Sequence, residues 1–139
     1  MAEIKLSADG ERALAEGERL ATGLNIAIEA AEFLLVGALN VLRETGWPNL
    51  PTGEALEGAL RSVHGEGSTD LTDRVMPGPS LRQALNMTAG AVRREGGTTI
   101  DALIIAHGAI ASGEINPAFY DALGASQTEL AQLLEGRAS

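Results

Sequence analysis

The chain has 139 residues, a formal net charge of −9 and no cysteine, which excludes a disulfide scaffold, thiolate metal sites and cysteine catalysis. With Lys5 the single lysine, the charge balance opposes binding to nucleic acid or to anionic membrane surfaces. A single domain is expected at this length, large enough to bury a core without covalent staples.

The first residues, Met1 to Leu6, show no basic segment followed by an apolar run. No secretion signal is read there, and a cytoplasmic setting is expected. Ser7 is placed to cap a first helix over 8–21, with Asp9 and Glu11 in its first turn and Ala13, Gly17 and Leu20 on its inner face. Gly23 ends that helix and Asn25 is placed to cap the next. Residues 26–42 are apolar apart from Glu29, Glu32 and Asn40. Helical periodicity sets Ile28, Ala31, Leu35, Ala38, Leu39 and Leu42 on one face, and Phe33, Val36 and Val41 widen it. A helix that is apolar most of the way round is packed on most sides. At this length it falls short of a membrane span, so it reads as the central helix of a helical domain.

Thr45-Gly46 stops the central helix, and Trp47-Pro48-Asn49-Leu50-Pro51 makes a stiff connection to a third helix over 53–63, capped by Thr52. From His64 to Pro79 the periodicity gives way to turn-forming residues, so His64 is expected in solvent at the start of a linker. Ser80 and Gln83 form a capping-box pattern for a helix that stops at Gly96-Gly97. Thr98 or Thr99 is placed to cap the apolar helix 100–111. Asn116-Pro117 opens a short helix through Leu123, Gly124 closes it, and Ser126 with Glu129 forms another capping box. Residues 136–139 are expected to fray. Period-two alternation is nearly absent, so strands are not expected.

The two halves follow one plan: capped helix, glycine, buried helix, glycine turn, capped helix. Ser7 aligns with Ser80, Ile28 with Ile100 and Gly46 with Gly124, at offsets of 73, 72 and 78. Two such copies predict an all-α fold: one helical bundle of two pseudo-twofold related repeats, since two copies cannot make a solenoid. The organisation is one domain over 1–139, with repeat one at 6–64, a linker at 65–79 and repeat two at 80–135.

This order of motifs resembles the amino-terminal domain of the Clp unfoldases, a duplicated all-helical module. The residues that carry the resemblance are Leu6-Ser7, the helix with Ala13, Gly17 and Ala21, then Gly23, Ile28, the run Glu32-Phe33-Leu34-Leu35-Val36-Gly37-Ala38-Leu39, and the Leu42 to Gly46 turn. In the second half they are Tyr120 to Leu130, around Leu123-Gly124. The chain departs from the family pattern at three places: Phe33 stands where histidine is usual, the step from Ile28 to Glu32 is one residue longer, and Leu103-Ile104 replaces the second Glu-His pair. No Gly-x-x-x-x-Gly-Lys-Ser/Thr loop occurs, so nucleotide hydrolysis by that route is not expected of these residues.

The resemblance implies a non-catalytic protein- or peptide-binding module without cofactors. Its partners would be Clp ATPase or peptidase subunits, or substrate or adaptor peptides. It further implies that Ser7 and Glu32 belong to a pocket reading positively charged groups, including phosphorylated arginine. As the alternative, a cap explains Ser7 and a buried acceptor at a helix start explains Glu32. Phe33 and Trp47 are candidate apolar anchors, and Arg93 and Arg94, with Arg82, a candidate docking patch for an acidic partner or simply a solvated helix end. Glu29 and Glu32 lack the histidine one turn away that carboxylate metal sites in bundles use, so no metal is expected. His107 reads as a core or groove histidine. A helical binding module with a signalling or small-molecule role outside the Clp system is the second reading.

Overall fold

The computed structural model describes residues 4–65 and 75–135. Most of the expected linker and the expected frayed end, 66–74 and 136–139, lie outside the described residues. Seven helices and four two-residue strands follow one another along the described chain. In order they are β1 (Lys5–Leu6), α1 (Ala8–Gly23), β2 (Ile28–Glu29), α2 (Ala31–Glu44) and α3 (Gly53–His64), then β3 (Met76–Pro77), α4 (Pro79–Arg94), β4 (Thr99–Ile100), α5 (Ala102–Ala111), α6 (Pro117–Leu123) and α7 (Gln127–Glu135).

α2 is the centre of the bundle. All of its residues from Ala31 to Leu42 are buried, including Glu32 and Asn40, and it packs chiefly on α1 and α5. Gly37 permits the close approach to α1: a Cβ there would press into the carbonyl oxygen of Ala13 and lie 2.8 Å from the Gly17 nitrogen. Glycine thus supplies contact area by having no side chain.

Four local start signals hold as read. Ser7 accepts from the Gly10 amide at 3.2 Å and Thr52 from the Ala55 amide at 3.1 Å. Asn116 accepts from Ala118 at 3.0 Å ahead of Pro117. Ser126 and Glu129 bond each other's backbone amides reciprocally, closing the box that starts α7.

Other starts differ, and one cause accounts for most of them. Residues 26–30 are not helical and include a two-residue strand at Ile28–Glu29, so the central helix begins at Ala31 and not at Ile26. Asn25 adopts a left-handed φ of 57° and turns the chain into β2, which pairs in parallel with β3. Ile28, expected on the buried face, is 57% exposed. Likewise β1 pairs in parallel with β4. Two-residue strands are too short to display an alternation, so the expectation of no strands is corrected here. Thr99 lies in β4, and the cap of α5 is Asp101, which accepts from the Ile104 amide at 2.9 Å. Ser80 is not the cap of α4. Gly78 is, with Pro79 in the first turn, because the chain crosses β2 there: a Cβ on Gly78 would sit 2.8 Å from the Glu29 carbonyl oxygen.

The strand pairing makes the duplication reciprocal. β3, α4, β4 and α5 begin 71 residues after β1, α1, β2 and α2 (76 against 5, 79 against 8, 99 against 28, 102 against 31). This constant offset replaces the uneven 73, 72 and 78, and it makes Ser7 equivalent to Gly78, Asp9 to Ser80 and Glu29 to Ile100. Each half lends the other its strand: the Ser7 amide donates to Ile100 O at 3.0 Å, and the Gly78 amide to Glu29 O at 2.7 Å. Each half also caps the other's buried helix. Ala30, at the start of α2, has no capping side chain, and the Ser80 hydroxyl accepts from the Ala31 amide at 3.0 Å instead. The mate of that bond is Asp9 accepting from Ala102 at 3.4 Å. Ser80→Ala is therefore expected to destabilise by about 1 kcal/mol, as a lost helix cap does. In urea melts the midpoint should fall with the slope unchanged, whereas Ser126→Ala, at an exposed box, should cost less.

Candidate functional site

Two openings in the bundle border α4. The larger, about 360 Å³, lies between α4 and α5 and is lined by Thr88, Ala91 and Val92 on one side and Leu103, Ile104 and His107 on the other. Gly108, also in its lining, lies directly against the Thr88 side chain. Thr88 is buried, and its hydroxyl donates to Ala84 O at 2.7 Å.

The duplication explains why this groove is open. At the 71-residue offset Leu103, Ile104 and His107 correspond to Glu32, Phe33 and Val36, all buried. In the first half α3 ends over them. Its last residue, His64, stacks on Phe33 with ring centroids 5.0 Å apart and holds Glu32 through Nε2 and Oε1 at 2.8 Å. The second Glu32 oxygen accepts from the Asn116 amide at 3.2 Å, fastening the start of α6. α6 packs on α3, and the second half leaves Leu103, Ile104 and His107 partly exposed. His64 is thus not a solvated linker residue: it ends α3, with its side chain mostly covered. Nothing local in the sequence joins His64 to a carboxylate 32 residues earlier.

The structure brings Glu32 and Phe33 together beneath His64. Glu32 is 2% exposed and both of its oxygens are engaged. Ser7 is engaged elsewhere, with the Gly10 amide, the Asp9 carboxylate and Ile100. Trp47 is nearly buried, and its indole N–H donates to Leu133 O at 3.0 Å, tying the turn after α2 to α7. Arg93 and Arg94 are exposed in the last turn of α4. Tyr120 has a buried hydroxyl without a hydrogen-bond partner among the described residues. Burial, reinforced by the charge on Glu32, pushes its pKa up to about 12.

The second opening, about 200 Å³, lies where the two halves meet. Leu14, Glu18 and Glu29 line it from the first half, and Val75, Pro77, Leu81 and Leu85 from the second. Glu29 is 6% exposed. Burial, with the nearby charge of Glu18, pushes its carboxyl up to about 7. Its unfolded value is near 4.5, so the folded chain holds the proton more tightly. The stabilisation this gives is complete below pH 4.5 and is lost as pH rises through 7. Glu29→Gln is therefore expected to match the parent near pH 4.5. At pH 8 it should be more stable by roughly 1–2 kcal/mol, part of the full effect being screened at the mouth of the opening. Thermal melts of both proteins across that range check this.

Among the described residues no group of three or more His, Asp or Glu side chains is placed to hold a metal. No described helix is long and apolar enough to cross a membrane.

Comparison with known proteins places this architecture. No family model matches the chain, and no curated protein does. The crystal structure of the N-terminal domain of the caseinolytic protease-associated chaperone ClpD from Arabidopsis thaliana superposes on it with a TM-score of 0.76. The fold is Clp N-terminal-like. The superposition covers 96% of this chain and 94% of the other at 16% identity. The superposition therefore spans both halves of the chain.

Proposed function

We propose that the protein is a non-catalytic protein- or peptide-binding module of a Clp-type unfoldase or protease system, acting as an adaptor, accessory subunit or substrate-recognition domain in the cytoplasm. The observation that carries this reading is the Clp N-terminal-like fold over 96% of the chain. The α4–α5 groove is the seat for an apolar peptide segment. Its walls are Leu103, Ile104, Val92 and alanine, with His107 and Glu95 as polar edge groups. Concave, mostly apolar surface with few polar groups is the usual ground for such binding. The family resemblance implies Ser7 and Glu32 as part of a ligand pocket. The groove is proposed in their place because Glu32 is enclosed under His64 and Ser7 is committed to the start of α1.

The test is affinity capture with the tagged chain from lysate of its host, beside an Ile104→Glu variant. The expected result is recovery of a Clp ATPase or peptidase subunit by the parent and its loss with the variant. Absence of both subunits from the parent's capture would overturn the reading.

A further inference from the structure

The 71-residue offset gives the α4–α5 groove a mate between α1 and α2. On α4, Thr88, Ala91 and Glu95 answer to Gly17, Leu20 and Leu24 on and just after α1. On α5, Gly108 answers to Gly37 on α2. The first-half residues are all buried, whereas Ala91 and Gly108 are partly exposed and Glu95 is exposed. The same crossing of helices thus occurs twice in the molecule, once closed and once open.

The closed crossing is made backbone to backbone. A Cβ on Gly37 would press into Ala13 O and lie 2.8 Å from the Gly17 nitrogen, and one on Gly17 would lie 2.7 Å from Phe33 O. The open crossing keeps one of these glycines, as Gly108, and has Thr88 in place of the other. The three atoms nearest a Cβ on Gly108 all belong to the Thr88 side chain: Oγ1 first, then Cβ at 2.8 Å and Cγ2 at 2.9 Å. Thr88 therefore stands where α1 and α2 meet directly in the first half. A β-branched side chain is stiff at χ1 on a helix. The Thr88 hydroxyl is also tied one turn back to Ala84 O at 2.7 Å, and Ala84 is the mate of Ala13. The missing cover over Leu103 and Ile104 explains their exposure, but it does not part the two helices.

We infer that Thr88 is a spacer that holds α4 off α5 and so makes the groove. It is a positioning residue for the binding proposed above, and its functional meaning rests on that reading. The bulk of the side chain at position 88 sets the gap, and its hydroxyl does not. With glycine there, α4 closes onto α5 as α1 closes onto α2, because a packed interior does not keep such a void and closure takes the apolar surface of Val92 and Ile104 out of water.

NMR of the full chain carrying Thr88→Gly tests the spacer without any ligand. In the parent, a nuclear Overhauser effect between the Gly37 α protons and the Gly17 amide marks the closed crossing. Thr88→Gly is expected to gain the matching effect between the Gly108 α protons and the amide at position 88, at comparable intensity. Binding is read separately with the uncharged dye Nile red. Saturable binding by the parent, abolished by Ile104→Glu, is expected to be lost in Thr88→Gly and kept in Thr88→Val, which retains the bulk and removes the hydroxyl. Thr88→Ala should bind more weakly than Thr88→Val. A folded Thr88→Gly that lacks the new effect and still binds the dye would overturn the inference, as would loss of binding in folded Thr88→Val. If Thr88→Gly does not fold, Thr88→Ala and Thr88→Val decide, and equal dye affinity in the two would overturn it. Neither readout involves a Clp subunit. A chain that gains the new effect yet captures no subunit keeps the spacer and loses the proposed partner, so the two readings fail separately.

Discussion

Gly37→Ala is expected to lower the melting temperature by about 10 °C. The Ala13 carbonyl and the Gly17 nitrogen occupy the space a Cβ would need. Both are backbone atoms of α1, so no rotamer change relieves the clash, and α1 must move off the central helix. Overpacking of this kind costs about 3 kcal/mol, which corresponds to several degrees per kcal/mol at this chain length. Gly58→Ala is the matched control. It stands on the exposed side of α3, and nothing lies within 4 Å of the added Cβ. Relief of the glycine penalty should stabilise it by roughly 0.5–1 kcal/mol. Both changes gain the same helix propensity, so opposite signs in calorimetry isolate the contact between α1 and α2.

Glu32→Ala is expected to cost about 3 kcal/mol, the scale for removing one member of a buried, fully bonded pair. The change strips the acceptor from His64 and from the Asn116 amide, and leaves a small cavity beside Phe33. Its effect should be local before it is global. Hydrogen exchange should speed up at the end of α3 and the start of α6, while β1 and β4 stay protected. Combined with His64→Ala, the double variant should lose about 1–2 kcal/mol less than the two single changes together, the coupling expected of residues in contact. Strict additivity would mean that the two side chains do not share an interaction.

The parts of the fold that are legible in the sequence are those decided within one turn of chain. The caps at Ser7, Thr52, Asn116-Pro117 and Ser126 with Glu129 involve partners two or three residues away. The apolar run of α2 announces its burial by composition alone. What stays hidden is decided by partners in the other half. The Ile28–Glu29 strand reads as more helix, because its partner Met76 lies 48 residues on and its pattern merges with the helix behind it. Ser80 carries a sound capping-box pattern, yet the crossing of β2 over Gly78 moves the helix start two residues earlier and turns the hydroxyl to Ala31. The candidate site divides in the same way. Leu103-Ile104 stands out in the sequence as the place where the second Glu-His pair is missing, and it proves to be one wall of the groove. The cover over Glu32 and the cleft at Glu29 need His64, Val75 and Leu81, which no local spacing connects to them.

The two halves exchange strands, and one NMR measurement addresses that directly. Scalar couplings across hydrogen bonds link an amide nitrogen to the carbonyl carbon it bonds. Couplings are predicted from the Ser7 nitrogen to the Ile100 carbonyl and from the Gly78 nitrogen to the Glu29 carbonyl, the two mates of the reciprocal pairing. Their joint absence in the folded protein, with these amides exchanging freely with solvent, would contradict the interlocked duplication on which the fold and the proposed groove depend.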